Sequence, residues 1–202
     1  MKQILKEWLK VPLYLARAKK VRNTAAPISL RTLLLQKIIG INADAYWPTH
    51  FTSVVSDPQN ILIGVGTAPG LSPGCYIQGI GQVKIGDYTI IAPNVGIISA
   101  NHAVEDHRNH VRGKVELGKY CWLGMNAVIL PNVVLGDHTI VAANSVVSKS
   151  FPDGNCILAG SPAKVIRTLK ADELTDFENE NKFIGYIPVE KFDQFRRRHL
   201  NV

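Results

Sequence analysis

Residues 117–147 read LGKYCWLGMNAVILPNVVLGDHTIVAANSVV, and an aliphatic side chain returns in them every six positions: Leu117, Leu123, Ile129, Leu135, Val141, Val147. The residue after most of these is small (Gly118, Gly124, Gly136, Ala142, Ser148). Four positions on comes a small or β-branched residue: Cys121, Ala127, Val133, Thr139, Ser145. A period of six fits neither an amphipathic helix, which repeats at 3.6, nor a single strand, which repeats at 2. It fits a coil with three flat sides, one hexapeptide per side. Each aliphatic residue points inward and stacks on its equivalents one coil above and below, so stability is a sum of neighbour contacts. The small residue four positions on fits the tight interior near a corner. Corners call for positive φ, which Gly and Asn adopt with least strain; Gly86, Asn94, Asn126, Asn132, Gly136 and Asn144 are the candidates. Unbroken phase over six units argues against an ordinary β-sandwich.

Upstream, Ile85, Ile91 and Ile97 keep the rule, and weaker copies reach back through Ile61 and Val55. The two runs are out of phase, because the interval from Ile97 to Leu117 is not a multiple of six. The stretch between them, about 100–115, is polar, holds three histidines and reads as a loop extruded from a coil corner. Loops on a rigid scaffold are where chemistry concentrates.

The chain has 202 residues and a formal charge of +7, unevenly placed. Residues 1–40 carry nine basic groups against Glu7, net +8, so the remainder sums to −1. A basic arm on a neutral body is no nucleic-acid interface, which requires a basic face with stacking aromatics or a known motif. Cys75, Cys121 and Cys156 are widely spaced and odd in number; they make neither a disulfide framework nor a zinc pattern, and a reducing cytoplasm is the simpler compartment. No apolar run reaches the ~18–20 residues of a membrane span, and residues 1–20 lack the uninterrupted apolar core of a signal peptide.

The stretches IGDYTIIAPNVGIISANH (85–102), GKYCWLGMNAVILPNVVLGDHTIVAANSVVSKSFP (118–152) and AGSPAKVIR (159–167) resemble the hexapeptide-repeat acyltransferases. Within that superfamily they are most similar to sugar and polysaccharide O-acetyltransferases of the maltose and galactoside type. The resemblance implies an all-β, left-handed parallel β-helix over 46–168; the flanks carry no family signal, and their own residues read as an N-terminal basic, partly helical arm (1–45) and a helical C-terminal tail (169–202). It implies a homotrimer with active sites between subunits and acetyl-CoA laid along the coils as acyl donor, with no metal. The acceptor it implies is a saccharide hydroxyl, and the branch it favours is cell-envelope polysaccharide or its precursor.

It also assigns roles. His102, in Ser99-Ala100-Asn101-His102, is the general base. A neutral imidazole takes the proton of a weakly nucleophilic hydroxyl as the C–O bond forms, an effect of ~10²–10⁴-fold, and returns it to the departing thiolate. An imidazole needs an orienting partner on its other nitrogen; Glu105 is the candidate, a backbone carbonyl the alternative. A backbone N–H near Gly124–Met125 would hold the oxyanion, with Gly124 letting the cofactor approach closely. Backbone groups at Ala142, Ala143 and Ser161 would serve the pantetheine, and Lys149, Lys164 and Arg167 the phosphates, unless these are solvated surface charges. Asn101 would line the acceptor pocket; His107 and His110 either line it too or are exposed surface residues. Trp122 either borders the acceptor or packs at a subunit interface.

Residues 2–20 place Ile4, Leu5, Trp8, Leu9, Leu13 and Leu15 between Lys2, Lys6, Lys10 and Arg17, with Pro12 as a break. Peripheral contact of 1–20 with an anionic membrane is one reading; an arm capping the solenoid or a neighbouring subunit is the other. Residues 171–181 read as an acidic helix. Three further readings stay open: an N-acetyl or serine O-acetyl transfer, a γ-type zinc carbonic anhydrase using His102 and His107 with His110 or His50, and a catalytically silent scaffold.

Overall fold

The computed structural model describes Leu13, Tyr14 and residues 16–202. The segment expected to be an amphipathic arm, 1–20, therefore lies largely outside the described residues. From Val54 onward the chain winds as a three-faced parallel solenoid. The first face stacks Val54–Ser56, Tyr76–Gln78, Gly96–Ile98, Val128–Ile129 and Val146–Val147. The second stacks Ile61–Ile63, Gln82–Ile85, Lys114–Leu117 and Val134–Leu135. The third stacks Ile90–Ile91, Trp122–Leu123, Ile140–Val141 and Cys156–Gly160, then closes with the antiparallel strand Ala163–Thr168.

Every third hexapeptide lands on the same face. Leu117 pairs with Leu135, Leu123 with Val141, and Ile129 with Val147, each one full coil of three hexapeptides on. All six are buried, as are Cys121, Ala127, Val133, Thr139 and Ser145 at the corners. The earlier run joins the same stacks across a longer interval, through Ile85–Leu117, Ile91–Leu123 and Ile97–Ile129. The excess over three hexapeptides is the insertion that put the two runs out of phase.

Corner geometry divides the glycines from the asparagines. Asn94, Asn126, Asn132 and Asn144 have φ of +59° to +67° as expected, but Gly86 and Gly136 do not adopt positive φ. At that corner the left-handed residues are bulky: Tyr88 (+57°), Tyr120 (+54°) and His138 (+54°). The glycines answer to a different demand, the close approach of successive coils. A Cβ on Gly86 would lie 2.5 Å from the Gly118 carbonyl carbon, and one on Gly136 2.2 Å from the Pro152 oxygen.

The three bulky residues form a ladder between the second and third faces. Tyr88 stacks on Tyr120 at 5.4 Å and Tyr120 on His138 at 4.9 Å. The tail runs along it: the Asn179 amide donates to the Tyr88 hydroxyl (3.2 Å), the Tyr120 hydroxyl to the Phe177 carbonyl (3.0 Å), and His138 Nε2 meets Asp176 Oδ1 at 2.8 Å. Residues 171–181 are thus not an α-helix; beyond one 3-10 turn, Ala171–Glu173, they form no regular secondary structure. Reaching across two coil spacings takes about 10 Å, which three extended residues span and three helical ones, at ~1.5 Å each, do not.

Leu33 of the helix Leu30–Leu33, which runs on into the wider turn Leu34–Ile39, joins a second, small apolar cluster with Tyr14, Val21, Ile28 and Tyr186, while Phe192 of the helix Val189–His199 belongs to the main core. Buried Gln36 joins the parts: Nε2 donates to the Trp47 carbonyl (2.9 Å), while Oε1 accepts from the Tyr186 hydroxyl (2.7 Å).

Candidate active site

The inserted segment leaves the solenoid at the corner between the first and second faces. It folds as an antiparallel hairpin, Ala100–His102 against His110–Arg112. Two polar groups clamp its root. The Ala100 amide donates to Gln78 Oε1 (2.8 Å) and the Gly81 amide to Ser99 Oγ (2.9 Å), all buried. The Gly113 amide closes on the Ser99 carbonyl at 2.7 Å. At the tip, the Asp106 carboxylate accepts from the Arg108 amide (3.0 Å) and guanidinium (2.9 Å) and from Asn109 Nδ2 (3.1 Å). These Arg108 bonds hold the Asp106 carboxyl below its usual range.

His102 is exposed near the middle of the hairpin, opposite His110, with the rings 4.5 Å apart. Its Nδ1 meets the carbonyl of His107. A carbonyl only accepts, so Nδ1 carries the hydrogen of the neutral ring and Nε2 keeps its lone pair. The orienting partner is therefore this carbonyl and not Glu105, which is exposed and makes no hydrogen bond or ion pair among the described residues. The hairpin tip turns back on itself, which brings the backbone of residue 107 to the ring and leaves the side chain of residue 105 outside. No three His, Cys, Asp or Glu side chains among the described residues are grouped to hold a metal ion.

The other candidates lie elsewhere on the coil. Trp122 is 51% exposed on the third face, in register with Ile90 and Ile140; no ring contact or hydrogen bond joins it to His102 among the described residues. Gly124, Met125, Ala142 and Ala143 lie on the corner between the third and first faces. Gly124 packs tightly on the next coil: it is buried, its amide donates to the Val141 carbonyl (2.7 Å), and a Cβ there would lie 2.7 Å from the Ala143 nitrogen. The next coil occupies that space. The Ala142 amide is likewise committed, to the Leu158 carbonyl at 2.8 Å.

The amides of Met125 and Ala143, both exposed, make no hydrogen bond among the described residues. The reason lies one coil on. At the neighbouring corner the equivalent amides of Val65 and Lys119 donate to the Asp87 and Asp137 carboxylates at 2.8 and 2.7 Å. Met125 faces Ala143, whose methyl accepts nothing, and Asn126 and Asn144 bond to each other (2.9 Å). Two open donors thus stack one coil apart, roughly 5 Å.

Ser161 is exposed in the turn between the last two strands of the third face, and Lys164 is exposed just after it. Arg167 is not a free cation, because its guanidinium donates to Glu173. Lys149 lies on the hairpin's corner, its Nζ 5.6 Å from the Phe151 ring centroid. Asn101 and His107 are exposed on the hairpin. Sequence reasoning missed Gln78; its one signal is a polar residue in an apolar strand, Tyr76-Ile77-Gln78, where the flanking coils carry Ile98 and Ser56.

Residues 109–149 match the family model described as bacterial transferase hexapeptide (six repeats). That match lies on the six-residue repeats and covers less than half of the chain. The chain is 37% identical over 109 residues to a galactoside O-acetyltransferase of Escherichia coli K12, covering 52% of this chain and 50% of that one. To a putative lipopolysaccharide biosynthesis O-acetyl transferase of the same organism it is 36% identical over 105 residues, covering 46% and 53%. It spans about half the length of the curated relatives it matches. A galactoside acetyltransferase solved in complex with coenzyme A superposes with a TM-score of 0.58 at 25% identity, covering 87% of this chain and 90% of that one. A maltose O-acetyltransferase from Clostridium difficile 630 superposes at 0.53 with 20% identity, covering 78% and 89%, and shares the fold. The solenoid is the left-handed parallel β-helix of the galactoside acetyltransferase structure.

Proposed function

We propose that this protein transfers the acetyl group of acetyl-CoA to a hydroxyl of a saccharide belonging to the cell envelope or to one of its precursors. The observation that carries the reading is the His102 tautomer: a carbonyl holds Nδ1–H, so an outward Nε2 is free to act as base. In the proposed reaction Nε2 takes the hydroxyl proton as the oxygen attacks the thioester carbonyl. The oxyanion that forms accepts from the Met125 amide, with the Ala143 amide along the pantetheine. Collapse breaks the C–S bond, and the imidazolium gives its proton to the thiolate. The similarity to the two E. coli O-acetyltransferases and to the coenzyme A complex of the galactoside enzyme supports the donor and the acceptor class.

His102 and the open amides lie at different corners of one coil. The proposed site is therefore built by two copies, the hairpin of one meeting the open-amide corner of the next in a trimer. Trp122, exposed on the adjoining face, would then border the acceptor or the neighbouring subunit.

The test is thiol release from acetyl-CoA against a panel of sugars, nucleotide sugars and envelope oligosaccharides. The His102→Ala variant is expected to lower kcat by about 10²–10⁴ with an unchanged unfolding midpoint, since the side chain is exposed. Wild-type turnover in that variant would remove His102 from the mechanism.

A further inference from the structure

The hairpin that carries His102 sets an arginine on the same face. The Ala103 amide donates to the Asn109 carbonyl (2.9 Å) and the Gly113 amide to the Ser99 carbonyl (2.7 Å). Hydrogen-bonded and open pairs alternate along an antiparallel ladder, so Ala100–Arg112 and His102–His110 are the open pairs, where side chains sit closest. Paired residues, and residues two apart, share a face. Ala100, His102, His110 and Arg112 thus lie on one side of the hairpin, and Asn101 and Val111 on the other. Arg112 is diagonal to His102, a step of about 7–8 Å that a long side chain reaches across.

Arg112 is exposed, and its guanidinium makes no hydrogen bond or ion pair among the described residues. The cations on either side of it in sequence are engaged, Arg108 with Asp106 and Lys114 with Glu116. No carboxylate shares this face of the two strands. Glu105 and Asp106 lie in the connection between them, and Asp106 is taken by Arg108 and Asn109. Ala100, opposite Arg112, offers only a methyl. A guanidinium stays charged at any working pH, and its planar fork of donors matches two oxygens of a carboxylate or phosphate. Set beside two imidazoles and facing no acid of its own, it makes the base's side of the hairpin a place for an oxyanion.

We propose that Arg112 binds an anionic group of the acceptor, a carboxylate or phosphate carried on the saccharide, and by that contact sets the reacting hydroxyl against His102 Nε2. The anion and the hydroxyl then lie one diagonal step apart on a single face, a separation that one sugar residue bridges. The proposal rests on the acetyl-transfer reading and narrows its acceptor from saccharides at large to negatively charged ones.

Thiol release from acetyl-CoA tests this with paired acceptors. Glucuronate- and galacturonate-terminated oligosaccharides are set against their glucose and galactose counterparts, and glucose and galactose 1-phosphates against the free sugars. A preference for the charged member is expected in one set, and the set that shows it names carboxylate or phosphate. Arg112→Gln is expected to lower kcat/KM for that acceptor by about 10–10²-fold, chiefly through KM, while the neutral partner and KM for acetyl-CoA hold. Arg112→Lys keeps the charge without the fork and should recover part of the loss. Lys84→Gln removes an equal charge from the exposed side of the second face and should behave like wild type. Equal use of charged and neutral partners, a preference that survives Arg112→Gln, or a rise in KM for acetyl-CoA in place of the acceptor would each overturn the proposal. Calorimetry of the same saccharides without acetyl-CoA separates its failure from that of acetyl transfer. Charged saccharides that bind wild type but not Arg112→Gln uphold the anion site even where no thiol is released, and only the transfer reading then falls. Thiol release that is blind to Arg112 does the reverse, and neither release nor binding sinks both.

Discussion

Gln78→Leu tests how the solenoid aims the hairpin. The side-chain oxygen of Gln78 accepts the buried Ala100 amide at 2.8 Å, two residues before His102. Leucine approximates the volume but offers no acceptor, so cavity effects are small and the amide is left unpaired. An orphaned buried donor costs about 1–3 kcal/mol, which urea unfolding should register as a lowered midpoint at constant m. The clamp at Ser99 persists, because its partners include backbone groups; the hairpin remains attached but is aimed less well. A misplacement of ~1 Å at a reacting group costs about 10²-fold, so kcat for acetyl transfer should fall by that order. KM for acetyl-CoA should hold, since the Met125 and Ala143 amides lie on another corner. Hydrogen exchange in the peptide spanning 98–113 should quicken. Exchange that quickens while kcat stays at the wild-type value would refute the claim that Gln78 positions the base. A variant unchanged in both stability and exchange would refute the worth assigned to the hydrogen bond.

Two further outcomes follow from the coils. Gly136→Ala would place a Cβ 2.2 Å from the Pro152 oxygen and 2.5 Å from the Gly154 nitrogen, whereas in Gly96→Ala the nearest atoms are 3.7 Å away; the first should lose about 1–3 kcal/mol and the second far less, and equal thermal midpoints would rule out coil spacing as the reason for the glycine. Burial pushes the Cys121 thiol up to about 11 and also raises the Tyr46 and Tyr186 hydroxyls. The unfolded chain releases these protons at lower pH than the folded one, so the stability they contribute is complete below pH ~9 and is lost as pH rises through the folded values. Urea midpoints measured from about pH 8 to about pH 11 should fall, and Cys121→Ala should flatten the early part of that fall; an unchanged slope would exclude the thiol as its source.

The sequence made the stack legible because its demand is local and repeated. Each of Leu117 through Val147 must fill one slot of fixed size, so period and residue type both survive in the chain. The corners were half legible. Asn at positive φ is a backbone preference readable in one residue, but Tyr88, Tyr120 and His138 take that conformation because they stack on one another across coils. No single residue carries that signal. His102 was legible as a motif, while its orienting partner was not: the His107 carbonyl is a backbone group, blind to side-chain identity. The open amides at Met125 and Ala143 arise from acceptors that neighbouring coils lack, and a missing partner leaves no motif. The 171–181 segment misled because its acidic composition resembles a helix surface, whereas its role is to reach along the aromatic ladder.

The hairpin enters and leaves at one corner, and the rungs on either side resume their stacks undisturbed. Its length and content are thus mechanically uncoupled from the scaffold: a graft of different size between Ser99 and Gly113 would leave the inner column of aliphatics in place. A segment on this frame can be exchanged as a cartridge, with Gln78 and Ser99 as the socket.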